Sequence, residues 1–91
     1  VINILVYYIM KKYQPIKSNR KNKKFKVLVD NNKIIHFGDS RYEDFTQHND
    51  KKRQVSYCKR AKGIKDKNGN LTYKNKNTAN YWSYNFLWKC K

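Results

Sequence analysis

The hydrophobic residues of this chain change spacing as the sequence advances, and each spacing predicts a different element. Phe25, Val27 and Val29 alternate with Lys26 and Leu28 closely enough for a strand with one apolar face. Asp30, Asn31 and Asn32 follow as a turn, because Asn and Asp accept left-handed backbone angles and bond to their own backbone. Residues 33–37 return as a second strand, closed by Gly38 and Asp39, so a β-hairpin is expected. Residues 40–49 have no regular spacing and read as a long loop anchored by Tyr42 and Phe45. Residues 51–62 switch to helical spacing, with Asn49 or Asp50 as the cap and Gly63 as the stop. Drawn on a wheel, Val55, Tyr57, Cys58 and Ala61 form an arc for a core. Lys52, Arg53, Ser56, Lys59 and Arg60 form the opposite arc, which is basic and carries no acid.

Residues 64–77 hold turn-forming residues around Asp66 and Gly69 and read as a surface excursion, extending as a short hairpin, with Ile64, Leu71 and Tyr73 touching the core. Thr78 is placed to cap a last helix that begins at Ala79. That helix holds both tryptophans, and aromatic side chains bury the most area per residue, so it is the expected core nucleus. Its apolar residues fall on two arcs. Ala79, Trp82, Ser83, Phe86 and Leu87 form one, which closes over the hairpin; Tyr81, Tyr84 and Trp88 form the other. The second arc is either covered by the preceding helix or loop, or offered to a partner as a stacking face.

The start of the chain is different in kind. Residues 1–10 are nearly all apolar, too few to cross a bilayer as a helix, which needs about 20 residues. Their basic neighbours Lys11 and Lys12 follow the apolar run, whereas a signal peptide would place them before it. Three explanations rank in this order: a start extended upstream of Met10, an added strand, or the tail of a membrane anchor. Residues 11–24 include the single proline, Pro15, and a lysine-rich run with no apolar period, which predicts a flexible basic arm. The expected organisation is residues 1–24 as apolar start plus arm, and residues 25–91 as one small α+β domain: a β-hairpin, a long loop and two C-terminal helices.

Charge then narrows the partner. Lys plus Arg number 22 against six Asp plus Glu, a net charge of +16 on 91 residues. An AT-rich coding bias explains abundant Lys and Asn but not so few acids, so the surface points to a polyanion. Within the arm, Lys21, Lys23 and Lys24 are candidates to lie along phosphates; on the helix, Lys52, Arg53, Lys59 and Arg60 are. Basic residues interleaved with aromatics bind single strands by stacking and phosphate contact together, which makes Tyr81, Tyr84 and Trp88 stacking candidates beside their core role.

Other chemistry finds no support. His36, His48, Cys58 and Cys90 lack the close pairs that zinc modules use, so no metal and no cofactor are expected. Glu43 and Asp44 have no partner at catalytic spacing, and there is no phosphate-binding glycine loop or catalytic set, so the chain is not expected to be an enzyme. Two cysteines are few for a small secreted domain and point to a reducing intracellular setting. A single Cys58–Cys90 bridge is the lesser alternative and needs their helices to pack together.

Several short motifs carry a resemblance: Phe37-Gly-Asp39, Tyr42-Glu-Asp-Phe-Thr-Gln-His48, Asp50-Lys-Lys-Arg53, Tyr57-x-x-Arg60-Ala, and Tyr81-Trp-Ser-Tyr-x-x-Leu-Trp88. Together they resemble small basic proteins of giant DNA viruses and their metagenomic relatives, a domain of unknown function with distant versions in tailed phages. The resemblance covers residues 25–88 and implies a viral origin without an assigned activity. Many of those relatives carry His where this chain has Ala61, so no His-dependent role is transferred. The expected function is a viral accessory protein that binds DNA or RNA with little sequence preference, inside the infected host and packaged with the genome. The rival is a minor structural virion protein that docks acidic surfaces of other viral proteins. Neither a small-molecule substrate nor a membrane is implied.

Overall fold

The computed structural model describes residues 10–90, and the expectations for residues 1–9 lie outside it. Its first half is a three-stranded antiparallel sheet of β1 (Ile16–Lys17), β2 (Lys23–Leu28) and β3 (Ile34–Asp39), in that spatial order. Strands β2 and β3 are the predicted hairpin. Their register sets Phe25 opposite Phe37 and Val27 opposite Ile35. Because side chains alternate across a strand, that register gathers the apolar residues on one face. The connection, Asp30–Asn32, is a tight turn with Asn31 and Asn32 at φ values of 60° and 57°, the left-handed region that Asn tolerates.

The flexible arm expected over residues 11–24 is instead ordered. Strand β1 pairs Ile16 with Lys26 and Lys17 with Phe25, and Lys12 bridges to Leu28. The boundary expected after residue 24 therefore falls inside β2. Distant side chains supply the reason. Tyr13 stacks on Trp82 with ring centroids 6.3 Å apart. Its hydroxyl donates to Asp30, which also pairs with Lys12 at 3.0 Å and accepts from Asn77 Nδ2 at 3.1 Å. Those hydrogen bonds, Tyr13's first, hold the Asp30 carboxyl at a pKa of about 2. Asp30 thus ties the start of the described chain to the excursion before the last helix.

A short helix, α1 (Phe45–His48), interrupts the segment expected to be a loop. Asp44 caps it, accepting from Thr46 N at 2.9 Å, while Gln47 Oε1 accepts from Asp44 N at 3.0 Å, a reciprocal capping box. Helix α2 (Lys51–Ala61) follows with Asp50 as its cap, within a residue of expectation. Its inner stripe differs in phase from the predicted arc. Gln54, Tyr57, Cys58 and Ala61 turn inward, at the i, i+3, i+4, i+7 spacing of one helical face. Val55 lies about 100° round from Gln54 and is 64% exposed, so it is not a core residue. The excursion after α2 makes one bridge, Lys65 to Leu71, and a 3-10 turn at Thr72–Lys74; Ile64 is largely exposed rather than packed.

The last helix, α3 (Ala79–Trp82), starts at the Thr78 cap and widens into a π-helical turn, Ser83–Leu87. It does serve two cores. Toward the sheet, Trp82 and Leu87 join Val27, Val29, Ile35 and Phe37. Away from it, Tyr84 and Cys90 join Ala61, flanked by Tyr57, Cys58 and Tyr73. Trp82, Phe86 and Leu87 face the sheet and Tyr84 faces away, as the wheel predicts, while Ala79, Tyr81 and Trp88 depart from it. In a straight α-helix Trp82 and Leu87 would sit about 140° apart; the wider turn brings residues five apart toward one side. Tyr81 packs with the sheet cluster, Ala79 is exposed, and Trp88 touches both clusters.

The two cysteines are joined, Cys58 to Cys90, with Cα atoms 5.7 Å apart. This corrects the expectation of free thiols: the second core presses the inner stripe of α2 onto the end of the chain and sets both side chains in one seam. With the bridge formed, cysteine usage no longer argues for a reducing compartment. Among the described residues no helix is long and apolar enough to cross a membrane.

Candidate nucleic-acid interface

Helix α2 is held rigidly by its inner stripe. Tyr57 lies flat on Trp88, ring centroids 4.2 Å apart and planes 9° apart. Burial pushes the Tyr57 hydroxyl pKa up, and a hydrogen bond with Ser83 partly offsets this. Gln54 Nε2 donates to Trp88 O at 2.9 Å and Lys89 O at 3.3 Å, and Cys58 is bridged to Cys90. Trp88 also meets His48, ring centroids 5.2 Å apart and planes at 60°. His48 Nδ1 accepts from Asp50 N at 2.9 Å, so its Nε2 carries the proton. That buried Nε2 has no hydrogen-bond partner among the described residues.

With one side fastened, α2 turns Lys52, Arg53, Lys59 and Arg60 outward, all exposed. None of them has an ion-pair partner among the described residues. The carboxylates are engaged elsewhere. Asp30 pairs with Lys12, Asp39 with Arg41 at 2.7 Å, and Asp44 with Lys24 at 2.6 Å. Asp50 caps α2, and Asp66 accepts from Asn68 N and Asn70 N in its turn. Hydrogen bonds from Arg41 hold the Asp39 carboxyl at about 2.

Beside α2 runs an open groove of about 680 Å³. One wall is Lys52, Arg53, Ser56 and Arg60 from α2. The floor is Tyr57, Ser83, Leu87 and Trp88, and the facing wall is the 39–44 corner, with Tyr42 and Glu43. That corner is fixed: Tyr42 N donates to Asp39 O at 3.1 Å, Arg41 forks onto Asp39, and Asp44 is only 3% exposed.

The candidate residues therefore separate. Lys52, Arg53 and Arg60 converge on the groove, and Lys59 stays on the outer face. Lys24 lines the groove, but its ammonium is committed to Asp44 and Gln47, so it is not a free phosphate ligand. Lys21 and Lys23 are exposed at the β1–β2 turn, away from the groove lining. There, desolvation first and then Arg20, Lys26 and Lys23 lower the pKa of His36, whose Nδ1 is bonded to Ser18 Oγ at 2.7 Å. Of the proposed stacking face, Tyr84 is 4% exposed against Tyr73 and cannot receive a base. Trp88 is stacked with Tyr57 and packed against His48, and Tyr81 packs edge-on against Trp82. The helix α3 aromatics are core.

Tyr42 is the residue sequence reasoning placed wrongly. Expected as an anchor, it is 69% exposed. Among the described aromatic residues it alone is exposed. A sequence signal did exist, since Tyr42 lies between charged residues Arg41 and Glu43 with no apolar neighbour to pack beside it. Among the described residues no group of three or more His, Cys, Asp or Glu side chains is placed to hold a metal ion.

The model of one protein family, described as a family of unknown function (DUF5754), matches residues 15–61, just over half of the chain. The matched stretch runs from the edge of β1 to the end of α2 and leaves out α3, so the Tyr81–Trp88 motif lies beyond it. No curated protein and no solved structure matches the chain.

Proposed function

The chain belongs to DUF5754, a family of unknown function, and from that premise we propose that it binds nucleic acid electrostatically through the outer face of α2, with little sequence preference. The observation that carries this reading is the set of four exposed cations, Lys52, Arg53, Lys59 and Arg60, on one helix, none of them in an ion pair among the described residues. Unpaired cations release condensed counterions from a phosphate backbone without first breaking an internal ion pair. Exposed Lys21 and Lys23 add a second basic patch. The same reading includes a viral origin, supported by the motifs from Phe37-Gly-Asp39 to Leu87-Trp88. It also includes action inside the infected host cell and packaging with the genome, which detection in purified particles would test.

Binding of random-sequence DNA and RNA, followed by fluorescence anisotropy across 50–200 mM salt, tests the interface. Four phosphate contacts give a log–log slope of about −3.6 on duplex DNA, by the rule of about −0.9 per contact. Replacing all four cations with Gln should flatten that slope by about 3.6 units while the circular dichroism spectrum stays native. No binding at low salt, or an unchanged slope in the folded variant, refutes the proposal. A second reading, a minor virion protein that docks acidic surfaces of viral proteins, is favoured by exposed Val55 and Ile64, apolar residues that a polyanion does not need. It predicts retention on acidic protein surfaces with no affinity for nucleic acid.

A further inference from the structure

The groove beside α2 is built for something other than a duplex, and we propose that it receives one unpaired nucleotide of a single strand, with the base stacked on Tyr42 and the flanking phosphates held by Lys52, Arg53 and Arg60. This inference rests on the nucleic-acid reading of α2 and deepens it by naming the substrate class.

Three observations converge on it. A domain this small has few aromatic rings to spare from its core, yet Tyr42 is left 69% exposed on a corner that hydrogen bonds and ion pairs hold still. Fixing the backbone that carries the ring before the ligand arrives removes part of the ordering cost of stacking. The groove is also polarised. Its α2 wall presents three cations with no ion pair among the described residues, while the facing wall carries Glu43 beside the paired Asp39 and Asp44. Phosphates are therefore drawn to the α2 wall and repelled from the Tyr42 wall, which orients the base toward Tyr42. Finally, a volume of about 680 Å³ lies within the usual range of small-ligand sites, about 300–1,000 Å³. A duplex keeps its base faces inside the stack and must extrude a nucleotide to use such a groove, whereas a single strand presents them freely.

The test uses the full chain with a labelled 12-nucleotide strand of mixed sequence, as DNA and as RNA, and the same sequence as a duplex, all at one salt concentration. Tyr42→Ala should weaken single-strand binding about tenfold, the ordinary effect of losing one base–aromatic stack, with the salt slope retained. Tyr42→Phe should restore it, because stacking needs the ring and not the hydroxyl. A response with either sugar supports the proposal. Equal loss of single-strand and duplex affinity in Tyr42→Ala, or no loss in either, overturns the groove assignment while leaving the α2 reading intact. Failure of the parent protein to bind strand or duplex at low salt overturns both.

Discussion

Removing the Cys58–Cys90 bridge should take away a large part of this domain's stability without changing its native structure. The cysteines are 32 positions apart. Closing a loop of that length lowers the entropy of the unfolded chain by about 12 cal/mol/K, or about 3.7 kcal/mol at 25 °C. The seam around the bridge has other fastenings that survive its loss: the Tyr57–Trp88 stack, the Gln54 hydrogen bonds to Trp88 O and Lys89 O, and Cys90 N donating to Tyr84 O at 2.9 Å. The effect should therefore lie mainly in the unfolded ensemble. A domain of this length has about 5–14 kcal/mol to lose, so the Cys58→Ala/Cys90→Ala variant should remain folded at 25 °C. Alanine is the suitable replacement because Cys90 is buried and serine would add an unpaired hydroxyl. Thermal unfolding by circular dichroism should show a midpoint lower by about 15–30 °C. Urea unfolding should show a steeper dependence on denaturant, since the unlinked chain exposes more surface. A midpoint drop under about 5 °C, or two titratable thiols in the native oxidised protein, would refute the reasoning.

Three further outcomes follow from the same geometry. Asp44→Ala removes the cap of α1 and strands the Lys24 ammonium in a largely buried site, so urea denaturation should show a loss of about 3 kcal/mol; a loss under 1 kcal/mol would mean that water already screens the pair. Gly38→Ala should lose about 2 kcal/mol, because Gly38 sits at φ +79° and a Cβ there would lie 2.7 Å from Leu87 Cδ1. Asp30 and Asp39 have folded pKa values of about 2, below their unfolded values, so their stabilisation is present above about pH 4 and is lost as pH falls through about 2. Urea midpoints should fall across that window and fall less in Asp30→Asn, whereas parallel curves would exclude Asp30 as a contributor.

What the sequence discloses and what it withholds divide along the range of the forces involved. The β2–β3 hairpin and the limits of α2 are legible because alternation, turn residues and the Asp50 cap act within a few positions. The order of residues 11–24 is not, because it depends on Tyr13 reaching Trp82 and on Asp30 reaching Asn77, 47 positions away. The π-helical turn is hidden for a related reason: the wheel sets Trp82 and Leu87 at the two ends of one broad arc, and only packing on two cores at once draws them closer. The interface shows the same division. Spacing alone places Lys52, Arg53, Lys59 and Arg60 on one face, but whether a cation is free depends on where each acid goes, and that is a tertiary fact. Lys24 reads as equivalent to Lys21 and Lys23 until Asp44, 20 positions on, claims it. In a chain with 22 basic and six acidic side chains, the acids are the informative ones. Three neutralise Lys12, Lys24 and Arg41, and two more shape a cap and a turn. The cations of α2 stand clear of all three ion pairs, while Glu43 faces them across the groove with no ion-pair partner of its own among the described residues. The fold thus commits five of the six acids to other cations, a cap and a turn and leaves the α2 cations without an ion pair among the described residues, and that pattern of pairing, rather than the net charge, is the physical ground for placing a phosphate backbone there.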